Sequence, residues 1–321
     1  MYSCEVIIGQ TATGKTRRAL SRAMQTGADV ITIDSRQVYT HLNIVTGKDT
    51  GDAPFTDIAE ISNSGHRLNI GHYLLNGVRV WGYDIVDPHV HFSSHDFRIY
   101  FQYIMENTIN KDTVPIVVGG TYLYVKHLIY GLDSTTASNW KLRTSLKNAS
   151  LGKLQQMLQT VDSQTFVSLN DSDRKNPHRL IRKIEIAQFQ LKKHPGMVGM
   201  QSSLNTAPLI QPTSIIALAH ASTKTLEQAI TTRVDERLKN GAVQETRWLL
   251  EHGYTYIDPG LQALGYLPLI SYIEGHQTLE EARTLWITSE VQYARRQLTF
   301  MKKEQTSIIK VGSSPYDDAS F

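Results

Sequence analysis

Short runs of apolar residues recur along the first part of the chain, each followed by polar residues and then by a stretch with helical spacing. Val6-Ile7-Ile8, Val30-Ile31-Thr32-Ile33 and Val114-Pro115-Ile116-Val117-Val118 are three such runs. Runs that are apolar at consecutive positions suit strands buried on both faces of a helix-covered sheet. The stretches between them predict helices from Thr16 to about Gln25, closed by Gly27, from Phe97 to about Ile109 with Ser94 or Asp96 as its cap, and over Tyr122–Tyr130. Residues 46–80 are loop-rich, and within them Asn76-Gly77 between Tyr73-Leu74-Leu75 and Val78-Arg79-Val80 predicts a short β-hairpin. Asp84-Ile85-Val86-Asp87-Pro88 reads as a strand end and turn. The alternation predicts an α/β fold built on a mostly parallel sheet flanked by helices.

After Gly131 the pattern changes. Residues 139–194 have helical periodicity, with Leu142, Leu146, Leu151, Leu154 and Leu158 available for one or two apolar faces, and Pro195-Gly196 ends the segment. Residues 197–212 read as a polar linker, and Ser214-Ile215-Ile216-Ala217-Leu218 restores a strand. Helices are expected over Leu226–Asn240, Ala242–Glu251 and Glu280–Lys303, with a frayed tail over 304–321. The division expected is therefore a core (1–136), a helical insertion (137–196) and a return to the core (197–321).

Composition adds a few limits. With 321 residues the chain has room for two units or for one core with an insertion. Hydrophobic residues are 40% and charged residues 20%, an ordinary globular balance. The single cysteine, Cys4, excludes an internal disulfide framework. No apolar run approaches the ~18 residues of a membrane span, and the chain enters a strand too early for a signal peptide. A soluble, cytoplasmic monomer is expected. The net charge of +3 is too small to identify a partner by itself.

The chemistry starts at Gly9-Gln10-Thr11-Ala12-Thr13-Gly14-Lys15-Thr16, which fits G-x-x-x-x-G-K-[ST] at every fixed position and lies between a strand and a helix. Successive backbone N–H groups at a helix N-terminus form an anion site, to which Lys15 adds a charge. The Thr16 hydroxyl could hold Mg²⁺. The loop therefore reads as a site for a pyrophosphate-like group. The second strand delivers Asp34-Ser35-Arg36-Gln37-Val38-Tyr39 to the carboxyl edge of the sheet, where ligands gather in open α/β sheets. Arg233 and Arg237, four residues apart, share a helix face and face either a ligand or the acids Asp235, Glu236 and Glu227. Arg174, Lys175, His178, Arg179, Arg182 and Lys183 form a basic cluster, read either as a solvated face or as a polyanion surface. Basic and aromatic residues interleave again over Tyr293–Lys303, as on RNA-binding surfaces.

Taken together, these stretches resemble the tRNA dimethylallyltransferase (tRNA isopentenyltransferase) family. The matching pieces are Gly9–Thr16, Asp34–Tyr39, Thr46-Gly47-Lys48, Val117–Tyr124, Asn176–Glu185, Arg233–Gly241, Gln262–Tyr266 and Tyr293–Phe300, in the family's order. The resemblance implies a P-loop NTPase-like core with a helical insertion that grips the tRNA anticodon stem-loop. It implies transfer of a dimethylallyl group from dimethylallyl diphosphate to N6 of the adenosine 3′ of the anticodon, with Mg²⁺ as cofactor. Asp34 would be the catalytic base, Arg233 would stabilise the leaving group, and Thr121 would hydrogen-bond the target nucleotide or cap the helix that follows it. Gly9, Thr11, Ala12, Thr13, Gly14, Lys15, Thr16 and Arg237 would hold the diphosphate, with the metal on Thr16. Ser35, Arg36, Gln37, Arg143, His178, Arg179, Leu180, Ile181, Arg182, Gln262, Gly265, Tyr266, Arg295, Arg296 and Gln297 would contact the tRNA.

The chain departs from the family at Gln10 and Asp49, where prolines are usual, and at Phe300, where tryptophan is usual. The stretch from Gly51 to Arg79 is longer than usual and has no assigned role. Three other activities fit parts of the pattern: an adenylate isopentenyltransferase acting on free nucleotide, a P-loop kinase of a small molecule, and an RNA-binding protein with a decayed active site. The basic insertion argues against the first. The RNA-facing motifs argue against the second, and the intact Asp34, Lys15, Thr16, Thr121 and Arg233 argue against the third.

Overall fold

The computed structural model describes residues 1–63, 65–132, 136–193, 206–302 and 308–312. The chain divides into two compact units, Met1–Tyr130 with Pro208–Phe321, and Gly131–Ala207. The first unit is built on strands β1 (Tyr2–Gly9), β2 (Val30–Thr32), β3 (Phe55–Asn63), β4 (His66–Leu75), β5 (Val78–Trp81), β6 (Ile116–Gly119), β7 (Ile210–His220) and β8 (Ile308–Val311). They form one eight-stranded sheet in the order β3-β4-β5-β2-β6-β1-β7-β8. From β5 to β8 the neighbours run parallel, whereas β3, β4 and β5 pair antiparallel. The sheet is therefore mixed, with a parallel centre and an antiparallel flank.

The apolar runs bury both faces, as strand alternation requires. Val6, Ile8, Ile31, Ile33 and Val117 belong to one layer of the core, and Ile7, Val30, Ile116 and Val118 to the other. Helix α1 (Lys15–Thr26) packs on the second layer through Ala19 and Ala23, one turn apart. Helices α2 (Ser94–Asn107), α3 (Tyr122–Tyr130), α9 (Thr223–Lys239), α10 (Ala242–Glu251), α11 (Tyr266–Ile273) and α12 (Leu279–Met301) contribute to the first layer. No helix among the described residues is long and apolar enough to cross a membrane.

Several boundaries differ from expectation for identifiable reasons. The cap of α2 is Ser93, whose hydroxyl accepts from Asp96 N while Asp96 returns the bond, a capping box one residue earlier than expected. The Asn76-Gly77 hairpin joins β4 and β5, and β3 extends it to three strands. β7 starts at Ile210, inside the stretch expected to be a linker. β8 pairs with β7 inside the stretch expected to be a frayed tail. Pro195-Gly196, residues 197–205 of the linker, Lys303 and the remainder of the tail lie outside the described residues.

The second unit consists of α4 (Trp140–Leu146), α5 (Leu151–Val161), α6 (Ser163–Ser168), α7 (Asp171–Arg174) and α8 (Pro177–Lys193). Asn139, Ser150, Asp162 and Asn170 each cap a helix by accepting a backbone N–H with the side chain. Its core is Leu146, Leu154, Leu158, Leu180, Ile181 and Ile184. Beside that core Glu185, 2% exposed, accepts from Arg143 Nη2 at 2.8 Å, Arg182 Nη1 at 2.5 Å and the Asn139 backbone N–H. Burial pushes the Glu185 carboxyl up, but the bonds from Arg143, Arg182 and Asn139 outweigh it and hold the group below the usual glutamate range. Glu185→Gln leaves both guanidiniums without their counter-charge. It should cost this unit about 2–3 kcal/mol, below the full cost of breaking a buried pair because both arginines reach solvent. Hydrogen exchange over α4 and α8 measures this. The carboxyl's contribution is present above its unfolded pKa and is lost as the pH falls through its lower folded value, so the variant and the wild type should converge in acid.

Candidate active site

At the end of β1 the chain turns through the phosphate-loop residues into α1. Ala12 (φ 60°) and Gly14 (φ 76°) take left-handed conformations, and Gly14, at the N-cap of α1, does so without a Cβ penalty. Thr13 Oγ1 and Lys15 Nζ both donate to the Gln10 carbonyl, at 2.8 and 2.6 Å. Thr16 is the second residue of α1, and its hydroxyl has no partner among the described residues. Burial, and then the charge of Arg233, pull the Lys15 ammonium down to about pKa 7, while Asp34 and Glu290 push it back up. Arg233, Asp34 and Glu290 therefore all lie within charge range of Lys15.

Asp34 stands just past the end of β2. Its Oδ1 accepts from Arg36 N at 2.8 Å and Gln37 N at 3.4 Å, which closes a turn. Its Oδ2 takes no hydrogen bond among the described residues, so one carboxylate oxygen holds the loop and the other stays available. Ser35 N donates to Thr121 Oγ1 at 3.0 Å, which ties this turn to the Gly119-Gly120-Thr121 turn after β6. Tyr293 of α12 closes the same region. Burial, followed by the Asp34 charge, raises its hydroxyl to about 12 although a bond to Thr121 opposes the rise.

Helix α9 brings two arginines to the phosphate loop. Arg233 Nη1 donates to Thr11 Oγ1 at 2.6 Å. Arg237, 7% exposed, lies 3.4 Å from Glu290 Oε1, with its Cζ 5.8 Å from the centre of the Trp286 ring. Burial, and then Arg233, bring Arg237 down to about 10, against Glu290 and Asp49. It therefore keeps its charge at neutral pH. The acids Asp235 and Glu227 pair with Arg283 and Arg295 instead, which leaves the two α9 arginines to the cleft.

The Thr46-Gly47-Lys48 loop lies against both arginines. Gly47 has φ 69°, and a Cβ there would lie 2.6 Å from Arg233 Nη2 and nearer still to Arg237. Gln37 Nε2 supports the loop from Thr46 O (3.2 Å) and Gly47 O (2.8 Å). Lys48 is buried and donates to Tyr39 O, Asn43 Oδ1 and Asp84 Oδ1. Tyr73 of β4 donates to the other oxygen of Asp84. The long Gly51–Arg79 stretch thus contributes a strand that fixes the anchor of this loop. Glu245 of α10 accepts from the backbone N–H groups of Asn43, Ile44 and Val45 and from the Tyr266 hydroxyl. Gly47→Ala should weaken the binding of inorganic diphosphate about tenfold or more, since it forces a strained φ and displaces both guanidiniums. Calorimetric titration tests this.

The residues expected on an RNA path fall into two sets. Within the first unit, Arg36 Nη1 donates to Pro259 O, and Gln262 to Tyr256 O. Gly265 packs on Trp286, and Tyr266 is fully buried. Arg295 and Arg296 are exposed, the first paired with Glu227 and the second 5.9 Å from the Tyr293 ring centre. Gln297 is placed inside. It is 5% exposed, accepts from Thr11 N at 2.9 Å and donates to Gly120 O at 3.0 Å, joining the phosphate loop to the turn after β6. Within the second unit, His178 and Arg179 are exposed, with Arg179 paired to Asp173, and Arg143 and Arg182 are bound to Glu185. Leu180 and Ile181 are core residues.

Lys48, Glu245, Glu290, Tyr293 and His220 also belong to the site or its supports, without having been singled out from the sequence. Lys48 and Tyr293 lie in stretches matched to the family, and the others follow only from tertiary packing. Among the described residues no group of three or more His, Cys, Asp or Glu side chains is placed to hold a metal ion.

Known proteins agree with this architecture. The IPP transferase family model matches residues 69–304, and the isopentenyl transferase model matches 2–56. The tRNA dimethylallyltransferase of Alkaliphilus metalliredigens is 30% identical over 94% of this chain and 88% of that relative. That of Acetivibrio thermocellus is 31% identical over 93% and 88%. The crystal structure of the tRNA isopentenylpyrophosphate transferase of Bacillus halodurans superposes with a TM-score of 0.61 at 26% identity, over 97% of this chain and 90% of that one. A eukaryotic dimethylallyltransferase, described as acting on tRNA, shares the fold at 20% identity and a TM-score of 0.68. The chain belongs to the tRNA dimethylallyltransferase (IPP transferase) family.

Proposed function

We propose that the chain transfers the dimethylallyl group of dimethylallyl diphosphate to N6 of the adenosine 3′ of the anticodon in tRNA, as a monomer. The observation that carries this is Asp34, a carboxylate with one bonded and one open oxygen, within charge range of the phosphate-loop lysine. An adenine amine is a weak nucleophile because its lone pair is delocalised into the ring. Asp34 Oδ2 orients it and takes its proton as N6 bonds to C1 of the donor. The C1–O bond breaks with its electron pair going to diphosphate, and the loop N–H groups, Lys15 and Arg233 meet the growing charge. Arg237 lies behind Arg233 and adds to the field. The Thr121–Ser35 link holds the Asp34 turn at a fixed distance from the loop. Mg²⁺, bound by the Thr16 hydroxyl and diphosphate oxygens, would neutralise part of the leaving-group charge, a donor set that suits a hard cation keeping most of its waters. The target base must leave its stack to reach Asp34. The exposed Arg295 and Arg296 of the first unit and His178 and Arg179 of the second are the groups that would meet RNA phosphates.

The test is nucleoside mass spectrometry of an anticodon stem-loop incubated with the protein, Mg²⁺ and dimethylallyl diphosphate. Prenyl-adenosine is expected, and it should disappear when the adenosine is replaced by guanosine. Bound RNA without product, or product only on free AMP, would overturn the assignment.

A further inference from the structure

Gln10 is the one phosphate-loop residue for which the transfer has no chemical use, yet it is the most heavily bonded. It is 2% exposed, and all four of its polar atoms have partners. Its N–H donates to Leu218 O at 3.0 Å, Nε2 donates to Ala294 O of α12 at 3.0 Å, and Oε1 accepts from His220 N at the end of β7 at 2.9 Å. Its carbonyl accepts from Lys15 Nζ and Thr13 Oγ1. A buried amide satisfied at both ends by the backbones of two other elements fixes its own main chain between them.

His220 holds the next residue. Its Nε2 lies 3.1 Å from Thr11 O, which can only accept, so that nitrogen carries the proton. Thr11 N is held by Gln297, and Thr11 Oγ1 receives Arg233. The two cations that face the diphosphate are thus located by atoms of the Gln10–Thr11 pair: Lys15 by the Gln10 carbonyl and Arg233 by the Thr11 hydroxyl. The pair is in turn located by the side chains of Gln10, His220 and Gln297.

We propose that Gln10, together with His220, is a positioning residue of the diphosphate subsite, which sets where Lys15 and Arg233 meet the leaving group. Its side-chain amide acts as a strut from β7 and α12 to the loop. The inference rests on the loop being a diphosphate site and is independent of the acceptor, so the probe is inorganic diphosphate with Mg²⁺ and no RNA.

Gln10→Met keeps length and volume and removes both amide bonds. It should weaken diphosphate binding by calorimetry about tenfold, the effect of one displaced charge-assisted bond, and raise the donor KM equally. The KM for RNA should stay within about twofold. In a Lys15→Met background the same substitution should cost clearly less than it does alone, because the part of its effect that runs through Lys15 is gone and only the part through Arg233 remains. A diphosphate affinity and donor KM within about twofold of wild type, with only the melting temperature lowered, would overturn the proposal. So would the full loss persisting without Lys15. Gln10→Leu carries the same test if the methionine variant does not fold. A wild-type protein that binds diphosphate but prenylates no RNA would refute the proposed function and leave this inference standing. One that binds no diphosphate would refute both.

Discussion

Asp34→Asn should lower single-turnover prenyl transfer by about 10²–10⁴, the usual worth of a positioned general base, and leave diphosphate and RNA binding within about threefold. The separation of the two effects follows from how the carboxylate is used. Oδ1 accepts from Arg36 N and Gln37 N and builds the turn. The asparagine carbonyl oxygen can take over that task, so Ser35, Arg36 and Gln37 keep their places and the link from Ser35 N to Thr121 survives. What the variant lacks is a basic atom at the position of Oδ2, where an amide NH₂ would now sit, unable to accept the adenine proton. Asp34→Ala would remove the turn bonds as well and should impair RNA binding in addition. The comparison therefore distinguishes a base from a brace. Equal rates for Asp34→Asn and wild type would place the base elsewhere in the cleft.

The contrast between the two ends of Asp34 also shows what the sequence could reveal. A phosphate loop between an apolar strand and a helix is a local pattern, and every atom that makes it an anion site lies within a few residues. The buried strands were legible for the same reason, since Val6, Ile31 and Val117 carry their burial in their own composition. β3 was not. Its strand Phe-Thr-Asp-Ile-Ala-Glu-Ile-Ser-Asn covers an edge with one face in solvent, and its pairing depends on β4. β8 is short, and the strand it pairs with is β7, about ninety residues earlier in the chain. The same distinction runs through the site. Gln297 stands beside two exposed arginines in a basic, aromatic segment, so its neighbours suggested an RNA surface. The helix turns it the other way, to Thr11 and Gly120. In the second unit Glu185 engages Arg182, three residues before it, and also Arg143, from a helix about forty residues away. Which polar residues face inward is decided by long-range packing, and spacing along one element does not report it.

Lys15 should make diphosphate binding a proton-coupled event. Burial and the adjacent Arg233 hold its ammonium at about pKa 7 in the ligand-free chain. A bound polyanion favours the charged form and raises that value. Between the two values the complex holds more protons than the free protein, so affinity should fall as the pH rises above about 7, and binding at pH 8 should take up as much as about one proton. Calorimetry in buffers of different ionisation enthalpy reads the uptake directly. Lys15→Arg, charged throughout this range, serves as the control and should lose the lysine's share while still binding. Equal uptake in both proteins would assign the proton to another group. Lys15→Met should weaken binding about 10–100-fold, the worth of a charge-assisted bond to the anion. The same substitution should stabilise the ligand-free chain. Because the folded value lies below the unfolded one near 10.5, the unfolded chain binds more protons, and the wild type loses stability as the pH falls from there to about 7. Methionine has no such loss, so the melting temperature of the variant should exceed that of the wild type by a margin that grows over this interval and then levels off. Saturating diphosphate should reverse the order, since only the wild type gains the full binding energy. A site that is destabilising when empty and proton-hungry when filled is what burying a lysine for an anionic leaving group requires.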